Sequence, residues 1–271
     1  MAPGPFDEES VAASYRRYLV PYLFAPWSGR LLASVGLRTG QSVLDVASGT
    51  GVVARAAASI VGPTGRVVAS DISPRMLQQV RVDLDPDGAP IDTLECAATD
   101  IPLADQSVDV VLCQQGFPFM PDRAAVAREV HRVLRPGGVF GIAVWAVGEQ
   151  LVPLDTYGRV VRDEGLESAF GRSASNDKLN MTEDDVRDAL LAGGFDEVSV
   201  TTERLDVRWP SLDEEAMGIL GTPYGTAVTT LDPDRRGRFF QALRDALAGP
   251  DGGPVTHTTA AVIARATKAE R

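Results

Sequence analysis

The stretch Leu44–Arg55, LDVASGTGVVAR, holds residue types that grip a nucleotide-like ligand. Its glycines let the backbone turn tightly out of a strand and bring a ligand to the N–H groups that open a helix. From Gly49 it reads Gly-Thr-Gly-Val-Val-Ala, which fits the loose dinucleotide fingerprint G-x-G-x-x-A. From Asp45 it reads as an acid followed by small residues at alternate positions, Ala47, Gly49 and Gly51. The first reading implies a nicotinamide cofactor, the second a methyl donor with an amino acid end. Asp45 favours the second, because a dinucleotide fold wants an apolar residue there whereas an ammonium can use a carboxylate. Asp71 lies about 20 residues beyond the loop, where an acid accepts hydrogen bonds from ribose hydroxyls, and it serves either ligand.

These residues need a scaffold, and the chain spells one out. SVLDVA (42–47) and RVVASD (66–71) are apolar runs of strand length, separated by a helix, VVARAAASIVG, that Gly62 and Pro63 end. Ser73 followed by Pro74 starts the helix RMLQQVRVDL, since serine caps and proline's fixed φ suits the first turn. IDTLECA and VDVVLCQ read as strands, RAAVAREVHRVL as a helix stopped by Arg135-Pro136-Gly137-Gly138, and VFGIAVW as the next strand. This alternation predicts a doubly wound α/β fold with a mostly parallel sheet. After Trp145 a polar, Gly-rich segment is expected to about Asn180, then a helix capped by Thr182. Two final strands, VSVTTERLDVRW and PVTHTTAAVIAR, flank an insertion over Ser211–Gly253 with helical patterning. Residues 11–35 form an aromatic leader that Pro21, Pro26 and Gly29 are expected to break into short helical pieces.

Composition narrows the partners. A net charge of −11, without a run of Lys and Arg, disfavours nucleic acid and anionic membrane surfaces. Cys96 and Cys113 are the only cysteines, and no Cys/His cluster has zinc spacing, so neither a disulfide framework nor a metal is expected. With no signal-peptide pattern at the start, the expectation is a cytoplasmic protein that acts on a small molecule.

The succession VLDVASGTG, VVASDISPRML, AATDIPLADQSVDVVLCQQGFPFMPD and EVHRVLRPGGVF resembles the class I S-adenosylmethionine-dependent methyltransferases, particularly the ubiquinone/menaquinone-type and small-molecule group. The resemblance implies a single Rossmann-like domain with a seven-stranded sheet of order 3-2-1-4-5-7-6, strand seven antiparallel, and S-adenosylmethionine as cofactor. It implies that Ala47, Ser48, Gly49 and Gly51 line the donor's amino acid end while Asp45 holds its ammonium, directly or through water. Asp71 would bind the ribose, Ile72 and Met76 would pack on the adenine, Asp100 would accept from its exocyclic amine, Ile101 would continue that wall, and Gln114 would sit beneath the sulfonium. Ala47 departs from the family's usual glycine but is small enough for the turn. A rival reading keeps donor binding but not methyl transfer.

In open α/β sheets the ligand lies beyond the carboxyl ends of the strands. Residues 6–35, 146–180 and 211–253 should gather there as a helical lid. Gln115, Phe117, Phe119, Trp145 and Tyr224 are candidate acceptor contacts. Of the two histidines, His131 falls beside Arg128 and Arg135 on a helix and is expected to be solvated, whereas His257 begins the last strand and is the candidate general base.

Overall fold

The computed structural model describes residues 8–82, 84–166, 180–248 and 256–270. Phe6, Asp7, 167–179 and 249–253 of the expected lid, and Pro254 and Val255 of the last expected strand, lie outside the described residues. The short apolar runs become strands β1 (Ser42–Val46), β2 (Arg66–Asp71), β3 (Ile91–Glu95) and β4 (Val108–Gln114), followed by β5 (Leu134–Trp145), β6 (Glu197–Arg208) and β7 (Thr256–Thr267). They form one sheet in the order β3-β2-β1-β4-β5-β7-β6. Strands β1 to β5 are parallel, and β7 runs antiparallel to both β5 and β6. This is the expected Rossmann-like methyltransferase sheet.

The period-2 alternation of β4 divides the core. Val110 and Leu112 face one layer, built with α2 (Ala25–Val35), α3 (Val52–Val61) and α4 (Pro74–Val80). Val111 and Cys113 face the other, built with α5 (Arg123–Val133) and, after α6 (Leu154–Asp163), with α7 (Glu183–Ala192). Local cap chemistry sets the ends of two helices. Ser73 Oγ accepts from Met76 N at the start of α4, and Thr182 forms a reciprocal capping box with Asp185 at the start of α7.

The leader departs from expectation. α1 (Glu9–Ser14), a π-helical stretch over Tyr15–Phe24 and α2 run head to tail, with Pro21 inside the π-helical stretch and Pro26 in the first turn of α2. At that first turn the missing N–H costs nothing. Burial of Leu19, Val20, Leu23, Phe24, Trp27, Leu31 and Leu32 outweighs the breaker at Pro21. α2 crosses the sheet closely at Gly141, where an added Cβ would meet Val35 at 2.5 Å. One further correction concerns β5. Helix α5 ends at Val133 and the strand begins at once, so Arg135–Gly138 lie within β5, beside a register break between Val108 and Val110 of β4. The segment read as polar and Gly-rich, and placed in the helical lid, contains amphipathic α6, which buries Tyr157, Val160 and Val161. The insertion between β6 and β7 carries α8 (Leu212–Met217), α9 (Gly225–Thr230) and α10 (Pro233–Leu247). Among the described residues no helix is long and apolar enough to cross a membrane.

Candidate active site at the carboxyl edge of the sheet

β1 ends at Val46, and the chain turns immediately through three positive-φ residues, Ala47 (φ 53), Gly49 (φ 54) and Gly51 (φ 81), before α3 begins. A left-handed alanine is strained relative to glycine, and the next residue is anchored, Ser48 N donating to Ser70 O at 2.9 Å. Gly116, after β4, brings its backbone so close that an added Cβ would meet that of Ala47 at 2.5 Å. Asp71, at the end of β2, accepts from Gly49 N at 2.8 Å through one oxygen and from Ser73 N at 2.9 Å through the other. It thus ties the loop to the start of α4.

The loop has the features of a cradle. Ser48 Oγ and Thr50 Oγ1 are buried without a hydrogen-bond partner, and a Cβ built at Gly49 meets nothing within 4 Å. Buried hydroxyls without partners are costly unless a ligand completes them. Donors from the loop, two hydroxyls and an acid on either side therefore fit a zwitterionic amino acid end and an adjoining ribose. Asp45 is buried and accepts from Ala54 N at 2.9 Å. Burial raises its carboxyl most, the Ala54 N–H lowers it, the charge of Asp71 raises it and that of Arg55 lowers it, which leaves it pushed up to about 8.

Around this cradle the expected contacts divide. Ile72, next to Asp71, is an exposed large hydrophobe, Met76 is buried in α4, and Asp100 is exposed. Ile101 and Phe117, expected to line the ligand, are buried in the layer that holds α5 and α7; Phe117 packs edge-on against Phe140. Phe119 is exposed, and Tyr224 is half-buried in the insertion. Trp145 is buried against Phe24 and Trp27 of the leader, with ring centroids 6.0 and 6.1 Å apart. At the tip of β4, Gln114 donates from Nε2 to Phe24 O at 2.9 Å, and Gln115 (φ 58) accepts at Oε1 from Trp145 N at 2.9 Å.

The sequence placed the leader in the lid but did not reveal its contacts at this edge. Tyr15 stands close enough to Asp71 for that charge to add to burial in raising its hydroxyl pKa, and Glu9 reaches Arg75 of α4 at 3.9 Å. Glu8 accepts from Thr226 Oγ1 of the insertion at 2.7 Å. Nor did it reveal the partner of His257: Nε2 lies 2.5 Å from Oε1 of Glu215, a fully buried carboxylate on α8. No local pattern signals that pair, which is 42 residues apart. His131, expected to be solvated, is half-buried edge-on against Phe195, and burial lowers its pKa. A groove of about 500 Å³ opens at the opposite, amino edge, lined by Arg38, Gln41, Asp109, Arg135, Arg265 and others, and by none of residues 47–51.

Comparison with known proteins agrees with this geometry. A family model described as a methyltransferase domain matches residues 44–142, which include the loop, Asp71 and the tip of β4. The nocamycin O-methyltransferase of Saccharothrix syringae is 32% identical over 261 residues, covering 87% of this chain and 88% of that one. An uncharacterized protein of Mycobacterium tuberculosis is 33% identical over 181 residues; the match covers 62% of this chain and spans 65% of that relative's length. Among solved structures, phosphoethanolamine N-methyltransferase 2 of Haemonchus contortus, in complex with S-adenosyl-L-methionine, superposes with a TM-score of 0.61 at 19% identity, covering 97% of this chain and 57% of that one.

Proposed function

We propose that this chain, which belongs to the class I S-adenosylmethionine-dependent methyltransferases, transfers the donor's methyl group to a small, aromatic or amphipathic metabolite. The observation that carries the reading is the cradle itself, in which Asp71 clamps Gly49 and Ser73 while Ser48 and Thr50 keep unused hydroxyls. Bound S-adenosylmethionine supplies an electrophilic methyl on a sulfonium. The nucleophile–carbon bond forms as the carbon–sulfur bond breaks, and both must be held in line with bulk water excluded. In this reading Ser48, Thr50 and Asp45 orient the amino acid end, Asp71 holds the ribose, and Ile72 and Met76 cover the adenine with Asp100 at its edge. The leader, the segment after β5 and the insertion act as the lid. One relative is named for an oxygen acceptor and a solved neighbour for a nitrogen acceptor, and neither name fixes the atom used here. Calorimetric titration tests the reading: S-adenosylhomocysteine should bind one to one and NAD should not, and the reverse result would sink it.

Asp45 gives the reading a proton signature. At pH 7 a carboxyl raised to about 8 is mostly protonated without ligand, and an ammonium brought beside it favours the charged form. Donor binding at pH 7 should therefore release up to about one proton, falling towards zero above about pH 9, where Asp45 is already ionised. Titrations in buffers of different ionisation enthalpy read the proton count directly. Zero release at pH 7 would remove Asp45 from the ammonium site.

We read His257 as a positioning residue of the lid rather than as a base at the methyl group. Ala261 pairs with Trp145 at the end of β5, and His257 lies four residues before Ala261 in β7, about 13 Å beyond that pair at the rise of a strand, with its Nε2 engaged by Glu215. His257→Ala should lower unfolding stability by about 1–3 kcal/mol by leaving a buried carboxylate unpartnered, while the shape of the pH–rate profile stays as in the wild type. Urea unfolding and single-turnover rates across pH check this. Loss of a limb near the ordinary histidine value of about 6.5, with stability unchanged, would restore His257 as the base.

A further inference from the structure

Two adjacent carboxamides at the tip of β4 are each half used. Gln114 Nε2 donates to Phe24 O, which fixes the orientation of that amide, since the flipped amide would set two oxygens against each other. Its Oε1 is left buried without a partner, on a side chain only 9% exposed. Gln115 Oε1 accepts from Trp145 N, which fixes the second amide in the same way, since flipping would oppose two N–H groups. Its Nε2 is left buried without a partner. The chain at the end of β4 thus leaves one buried acceptor unused, on Gln114, and one buried donor unused, on the adjoining Gln115. The rings of the residues that hold these amides, Phe24 and Trp145, lie 6.0 Å apart, and Tyr15 stacks at 4.9 Å on Phe24.

Taking the proposed methyl transfer as its basis, we infer that Gln114 and Gln115 select an acceptor that carries a neutral donor–acceptor couple on a planar frame, of the carboxamide or hydroxy-carbonyl class. The ligand's N–H or O–H donates to Gln114 Oε1, and its carbonyl accepts from Gln115 Nε2. A carboxylate has no hydrogen for Gln114 and an ammonium has no lone pair for Gln115, so each leaves one buried amide group unpaired. Sites built to hydrogen-bond a ligand reject analogues that lack the group.

The test uses the full chain saturated with S-adenosylhomocysteine and four flat probes, benzamide, benzoate, benzylamine and toluene, titrated by ligand-observed NMR. Benzamide should bind at least about tenfold tighter than each of the others, the factor expected from one unpaired buried polar group. Gln115→Glu keeps the acceptor for Trp145 N but exchanges the unused donor for a negative acceptor, so benzylamine should overtake benzamide by at least about tenfold. Gln114→Met, a second route should the first variant not fold, should bring benzoate level with benzamide. The inference fails if no probe binds up to its solubility limit or if benzamide binds no tighter than toluene or benzoate. It fails equally if Gln115→Glu binds S-adenosylhomocysteine as the wild type does yet keeps the wild-type ranking; each result would mean that ordered water alone completes the two amides. Failure of the wild type to bind S-adenosylhomocysteine would instead overturn the proposed function.

Discussion

Asp71→Ala should weaken binding of S-adenosylhomocysteine by about ten- to a hundredfold. A charged acceptor lost from two ribose hydroxyls is worth about 1.5–3 kcal/mol. The structure adds a second cost, because the same carboxylate accepts from Gly49 N and Ser73 N and so holds the loop against α4. Asp71→Asn retains one side-chain oxygen as an acceptor and should lose less. Calorimetric titration of both variants separates the two contributions. An unchanged dissociation constant in Asp71→Ala would show that the acid at the end of β2 does not face the ribose.

Gly49→Val should be worse still. The residue has φ 54, a left-handed conformation that a β-branched side chain adopts only under strain, and its Cβ would project into the open space of the cradle. We expect a stability loss of about 1–3 kcal/mol from the backbone and a loss of donor affinity greater than about a hundredfold from the blocked space. Gly36→Val is the control. Gly36, just past α2 at the other edge of the sheet, also has positive φ (63) and open space around an added Cβ. It should show a similar loss of stability with donor affinity unchanged. Equal donor binding by folded Gly49→Val and by the wild type would contradict the assignment of this loop.

How much of this was legible in the sequence depends on the range of the interaction. The inner strands, the Ser73 and Thr182 caps and the loop at Gly49 follow from neighbours within a few residues, and the structure has them where local chemistry puts them. The leader was misread because Pro21 is a local breaker, whereas its helix is held by remote burial of Leu19, Leu23 and Trp27. Ile101 and Phe117 look like pocket residues from their position after a strand, yet which face of the sheet they join is decided by packing against α5 and α7. His131 is half-buried for the same reason, the turn at Gly194 and Phe195 folding over it. The Glu215 partner of His257 and the approach of Tyr15 to Asp71 are tertiary contacts without sequence periodicity. The turn after β1 and its tie to Asp71 therefore follow from short-range sequence. The acceptor side depends on how the leader and insertion pack.

The central claim is that a methyl group leaves the protein on a small molecule. Its most direct test is incubation of the purified chain with methyl-labelled S-adenosylmethionine and a small-molecule extract of the organism that encodes it, followed by mass spectrometry. The account predicts S-adenosylhomocysteine in one-to-one ratio with a labelled small molecule one methyl heavier than its precursor, both abolished in Gly49→Val. Tight donor binding with neither S-adenosylhomocysteine nor a labelled product would contradict it, and would make this a protein that binds the donor without transferring its methyl group.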